Sequence, residues 1–132
     1  MDPVRVVVVD DDPLFAEVLA LTLAVDPRIA VAGIAHDGVD ALQLCRTRQP
    51  DVVLMDLHMP GLDGLETTRR IRSTMPTVRV VVLTSDDGAE AVEGSAAAGA
   101  VRFLVKGASI DEVRDVVVTV PFQATASPER AA

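Results

Sequence analysis

Val4-Arg5-Val6-Val7-Val8-Val9-Asp10-Asp11-Asp12-Pro13 changes character twice, and the change sets the fold. A β-branched apolar run of this length favours a strand over a buried helix. Three carboxylates follow it. Asp12-Pro13 then reads as a helix N-cap with proline at the first helical position. Beyond it Phe15, Val18, Leu19, Thr22 and Leu23 keep helical spacing.

The same strand-then-helix pattern recurs down the chain. Further apolar runs lie at Ile29 to Ile34, Val52 to Met55, Val78 to Leu83 and Val101 to Val105. Asp37 is placed to cap a second helix carrying Ala41, Leu42 and Cys45, which stops before Pro50. Asp63 and Glu66 form a capping-box-like pair for a third, with Leu65, Thr68, Ile71 and Met75 inward. Ser109 and Glu112 form a capping box for the last, burying Ile110, Val113, Val117 and Val120. The fourth, around Asp87 to Ala98, is interrupted by Gly88 and Gly94 and has a mostly alanine face. It is the candidate mobile part. Strands alternating with crossovers of this length predict an α/β domain, a parallel sheet with helices on both faces.

Composition narrows the function. The chain has 132 residues, enough for one domain with a real core. Its net charge of −8 argues against gripping a phosphate backbone unaided. Cys45 is the one cysteine, so no intrachain disulfide can form and a reducing cytoplasm is the expected home. It reads as a core residue. No apolar run is long enough to span a membrane, and no signal peptide is expected at the start.

Notable polar groups follow the strands: Asp10-Asp11-Asp12, Asp56, Thr84-Ser85 and Lys106. Sites in parallel sheets lie at these carboxyl ends. Three neighbouring carboxylates need protons or a cation, and hard oxygen donors with room for water suit Mg²⁺. Neither an EF-hand nor a P-loop is present. Asp12 is assigned to capping. Lys106 is the only lysine among twelve Lys and Arg residues, a flexible point charge able to reach a phosphoryl oxygen.

Val7-Val8-Val9-Asp10-Asp11, the run Val53-Leu54-Met55-Asp56-Leu57-His58-Met59-Pro60-Gly61-Leu62-Asp63-Gly64, Val82-Leu83-Thr84-Ser85 and Phe103-Leu104-Val105-Lys106 together resemble the receiver domains of two-component response regulators. The resemblance runs from Arg5 to about Val120. It implies a flavodoxin-like (βα)5 fold with strand order 2-1-3-4-5, a receiver over residues 1–120 and a tail or linker start over 121–132. It further implies that Asp56 is the phosphoacceptor. Asp11, Asp56 and the backbone carbonyl of His58 would ligate Mg²⁺, with Asp10 helping through water. Lys106 would pair with the phosphoryl group and Thr84 would hydrogen-bond it, moving inward on activation. Phe103 stands at the aromatic switch position. His58 and Asp86 match positions that tune phosphoryl lifetime, although an exposed loop side chain is an equal reading of His58.

Two departures stand out: Gly107 replaces a proline common after the lysine, and Phe103 replaces the commoner tyrosine. The implied partner is a sensor histidine kinase, and a homodimer is compatible with the pattern. Asp10-Asp11-Asp12-Pro13-Leu14-Phe15 resembles receivers joined to LuxR-type DNA-binding domains. Ala126-Ser127-Pro128-Glu129-Arg130 is similar to the start of their linker, so DNA contact is expected only through a part outside this chain. The expected role is a switch, with self-phosphorylation and dephosphorylation as its only chemistry. The alternatives are a stand-alone receiver that docks on a protein, and a haloacid-dehalogenase-type phosphatase with Asp10 as nucleophile.

Overall fold

A computed structural model describes residues 2–123. The order of elements is β1 (Val4–Val9), α1 (Pro13–Ala24), β2 (Ile29–Ala35), α2 (Gly38–Arg48), β3 (Val52–Met55), α3 (Gly64–Thr74), β4 (Arg79–Thr84), α4 (Ala89–Ala98), β5 (Arg102–Val105) and α5 (Ile110–Thr119). A short 3₁₀ turn, Val120–Phe122, follows. All strand pairs are parallel, in the order β2-β1-β3-β4-β5, as expected. The proposed tail overlaps that turn, and its residues from 124 onward, including the linker-like stretch, lie outside the described residues.

Strand periodicity sorts the core into two layers. Val4, Val6, Val8, Val52, Leu54, Val81 and Leu83 pack with Leu19, Leu23, Val113 and Val117 of α1 and α5. Val7, Val9, Val53, Met55 and Val80 face the other way, onto Ala41, Leu42 and Cys45 of α2 and Ile71 of α3. Both faces of the central strands are covered, which explains why they read as continuous apolar runs.

Four of the helices begin on a side-chain cap. Asp12 accepts from the amides of Leu14 and Phe15, Asp37 from Asp40, Asp63 from Glu66, and Ser109 from Glu112. Glu66 itself turns to Arg69 and Arg70 instead of completing a box. The fourth helix starts at Gly88 with no side-chain cap and buries only Ala91, Ser95 and Ala98. Its Gly94 lets α3 approach, because a Cβ there would stand 3.2 Å from Leu65.

Some inward assignments shift. In α1 the buried face is Ala16, Leu19, Ala20 and Leu23, while Val18 points out. The helix also exposes Leu14 and Leu21, so apolar spacing alone could not tell which stripe meets the sheet. In α3 Thr67 is buried beside Thr68 and Ile71, and Leu65 and Met75 are half-buried. Cys45 is a core residue, and burial pushes its thiol up to about 11. No helix among the described residues is long and apolar enough to cross a membrane.

Gly64 locks the loop that follows β3. Its amide donates to the Leu57 carbonyl at 2.9 Å, and a Cβ there would fall 2.1 Å from the Asp56 carbonyl oxygen. Gly64→Ala is therefore expected to destabilise the domain by about 1–3 kcal/mol in denaturant melts, through overpacking against backbone. Gly107→Ala, with nothing within 4 Å of the added carbon, is expected to stay within about 0.5 kcal/mol of wild type.

Candidate functional site: an acidic pocket at the strand ends

Strand register builds this pocket. Val9 pairs with Met55, so Asp10 and Asp56, one residue further on, leave adjacent strands side by side. The Asp56 amide continues the ladder to the Val9 carbonyl at 3.0 Å. Thr84 pairs with Val105, which sets Lys106 at the same rim, its amide on the Thr84 carbonyl at 2.9 Å. Residues distant in sequence thus meet because the strands end level.

Carboxylate oxygens of Asp10, Asp11 and Asp56 lie within 4.8 Å of one another. At that spacing two unit charges repel by about 3.5 kcal/mol at an effective dielectric near 20. Asp10 and Asp56 are buried, whereas Asp11 is exposed. The Lys106 ammonium answers them unequally, at 2.8 Å from Asp10 and 3.6 Å from Asp56.

Protonation follows that inequality. Burial, and next the charge of Asp10, lift the Asp56 pKa above the ordinary carboxylate value. Lys106, the Thr84 hydroxyl and the His58 amide offset this only in part. Burial works against the Lys106 ammonium, but its hydrogen bond to Asp10 and the pull of both carboxylates raise its pKa. The mid-chain carboxylate remains short of positive charge. Three hard oxygen donors, one of them open to water, fit a small divalent cation well.

Thr84 is fully buried at the end of β4, where its hydroxyl accepts the Asp86 amide at 3.4 Å and helps to lower the Asp56 pKa. Phe103 is half-buried, packed with Leu57, Val82 and Ala91. His58 and Asp86 meet, with Nε2 and Oδ2 2.7 Å apart. That pair ties the loop after β3 to the loop after β4. The Gly88 amide and His58 hold the Asp86 carboxyl below its ordinary value. Each residue was visible in the sequence, but no sequence signal joined the two.

Other contacts escaped sequence reading altogether. The Asp12 amide donates to Asp10 Oδ1 at 2.9 Å, so Asp12 braces the pocket as well as capping α1. His36 Nδ1 lies 3.0 Å from the Asp10 carbonyl oxygen and, as that partner only accepts, donates to it. The Lys106 ammonium lies 4.4 Å from the centre of the Phe15 ring.

The family model described as "Response regulator receiver domain" matches residues 6–118. The chain is a response regulator receiver domain. The receiver is 46% identical over 105 residues to a protein-glutamate methylesterase/protein-glutamine glutaminase of Symbiobacterium thermophilum, covering 79% of this chain and 29% of that protein. It is 37% identical over 117 residues to the probable transcriptional regulatory protein NarL of Mycobacterium tuberculosis, covering 89% of this chain and 54% of the relative. The solved receiver domain of the putative response regulator NarL from Mycobacterium tuberculosis superposes with a TM-score of 0.89 at 35% identity, covering 94% of this chain and all of that one. The receiver thus spans about half or less of the length of these curated relatives.

The raised Asp56 pKa fixes the sign of a pH effect. Burying this group ionised costs stability, fully above its raised folded value and not at all below 3.8, where folded and unfolded chains both hold the proton. In chelator-treated buffer at neutral pH, Asp56→Asn is expected to melt higher than wild type, with the gap closing as pH falls toward 3.8. Equal melting temperatures at neutral pH would contradict the undercompensated charge.

Proposed function

We propose that this receiver is a phosphorylation switch in which Asp56 accepts a phosphoryl group from a sensor histidine kinase. The observation that carries the reading is the single lysine, whose ammonium lies between the buried carboxylates of Asp10 and Asp56. A carboxylate oxygen of Asp56 forms the new P–O bond as the donor's P–N bond breaks, and the leaving imidazole nitrogen takes up a proton from solvent. Asp11, Asp56 and the backbone carbonyl of His58 would hold Mg²⁺, with Asp10 acting through water. That ion supplies charge compensation for an anion attacking an anion.

The chain's own groups do the rest. Lys106 can leave Asp10 for a phosphoryl oxygen, since a point charge on a flexible stem tolerates either partner. Thr84, already turned toward Asp56, donates its hydroxyl to the same group. The product carries about −1.5 to −2 charges where the carboxylate carried one, and it redistributes these donors. Phe103, packed across the loop after β3, β4 and α4, is the side chain that carries the change toward the weakly packed α4. His58 and Asp86 bridge the loops that flank the acceptor and are assigned to tuning phosphoryl lifetime.

The output assigned to the full protein is transcriptional, through a LuxR-type DNA-binding part outside this chain, with the cytoplasm as its site. The resemblance of Asp10 to Phe15 and the solved NarL receiver support it. The methylesterase relatives favour a second reading, in which a catalytic domain takes that place. A stand-alone receiver acting by docking is the third.

A small phosphodonor with Mg²⁺ is expected to label wild type on one aspartate, and Asp56→Asn or excess chelator to abolish the label. Labelling of the Asn variant at the wild-type rate would end the assignment. Lys106→Arg is expected to lose most of the spectral response to phosphodonor while its melting temperature moves little, because a planar fork cannot replace the ammonium in so tight a pocket. A wild-type response in Lys106→Arg would refute that role.

A further inference from the structure

We propose that Phe15 is a positioning residue for Lys106, its ring face holding the ammonium at the mouth of the acidic pocket. The inference rests on the phosphoacceptor reading and deepens it. The ammonium lies 4.4 Å from the ring centre, well inside the range of a cation–π contact.

That contact closes a circuit. Asp10 Oδ2 holds the ammonium at 2.8 Å, while Asp10 Oδ1 accepts the Asp12 amide at 2.9 Å. Asp12 Oδ1 in turn accepts the Phe15 amide at 3.3 Å, and the Phe15 ring returns to Lys106. The acidic loop, the first turn of α1 and the lysine are therefore one connected unit. Phe15 is half-buried against the sheet, and with Lys106 it lines a groove of about 190 Å³ between α1 and α5 that Leu83, Ala108 and Ile110 complete.

Chemistry explains why an aromatic ring serves here. A lysine stem has many rotamers and loses substantial entropy when fixed. Another carboxylate could fix it, but would add repulsion to a pocket already rich in negative charge. A ring quadrupole attracts the ammonium and carries no net charge. It adds no carboxylate to the pocket, and without net charge it repels an incoming phosphoryl group far less than another anion would. When Asp10 gives up the ammonium, the ring still keeps it within reach of Asp56.

The single lysine makes the test direct, since isotope-labelled lysine gives one side-chain signal. In wild type the ε-methylene protons are expected upfield, under the ring current. They should move toward the free-lysine position in Phe15→Leu and stay upfield in Phe15→Tyr. The initial rate of labelling by acetyl phosphate with Mg²⁺ should fall about three- to tenfold in Phe15→Leu and recover in Phe15→Tyr. Pentafluorophenylalanine at position 15 keeps the shape and removes the attraction, so it should slow labelling similarly even if Phe15→Leu folds poorly. An unshifted lysine signal in wild type, or wild-type rates in both the Leu and the pentafluoro proteins, would overturn the role of Phe15. Absence of label on wild type would instead overturn the acceptor reading, while the lysine signal still reports the ring contact.

Discussion

One ammonium serving two buried carboxylates is the constraint on which the rest of this receiver depends. Lys106 sits closer to Asp10 than to Asp56, and that asymmetry leaves the central carboxylate poorly neutralised. A fully paired Asp56 would be stable but inert; a wholly unpaired one would take up a proton. The intermediate condition requires buried carboxylates on adjacent strands and a cation carried by a third. Level strand ends supply all of them at once.

The loops then refine what the strands deliver. Gly64 packs so closely on the Asp56 carbonyl that the acceptor's backbone has little freedom. The His58 amide and the Thr84 hydroxyl point their donors at the same carboxyl. His58 and Asp86 join the loops after β3 and β4.

Packing links the pocket to the fourth helix. Leu57 follows the acceptor, Val82 lies in β4, and Ala91 begins the buried face of α4; Phe103 packs with all three. The fourth helix has small buried side chains and no side-chain N-cap.

Much of this was legible in the chain itself. Apolar runs marked every strand to within a residue, and in the central strands burial on both faces removes any need for alternation. Asp12, Asp37, Asp63 and Ser109 announced their helices, since capping is a local interaction between near neighbours. Asp10, Asp11, Asp56, Thr84 and Lys106 were found by their place after strands, which in a parallel sheet is a position in space as well. Only the tertiary structure decided the inner stripe of α1, an apolar helix on both sides, and the sharing of Lys106 between Asp10, Asp56 and the Phe15 ring. The His58–Asp86 bridge and the close approach at Gly64 were likewise invisible. Such contacts depend on loop paths and rotamers to within an ångström, and residue order sets those only through the packed whole.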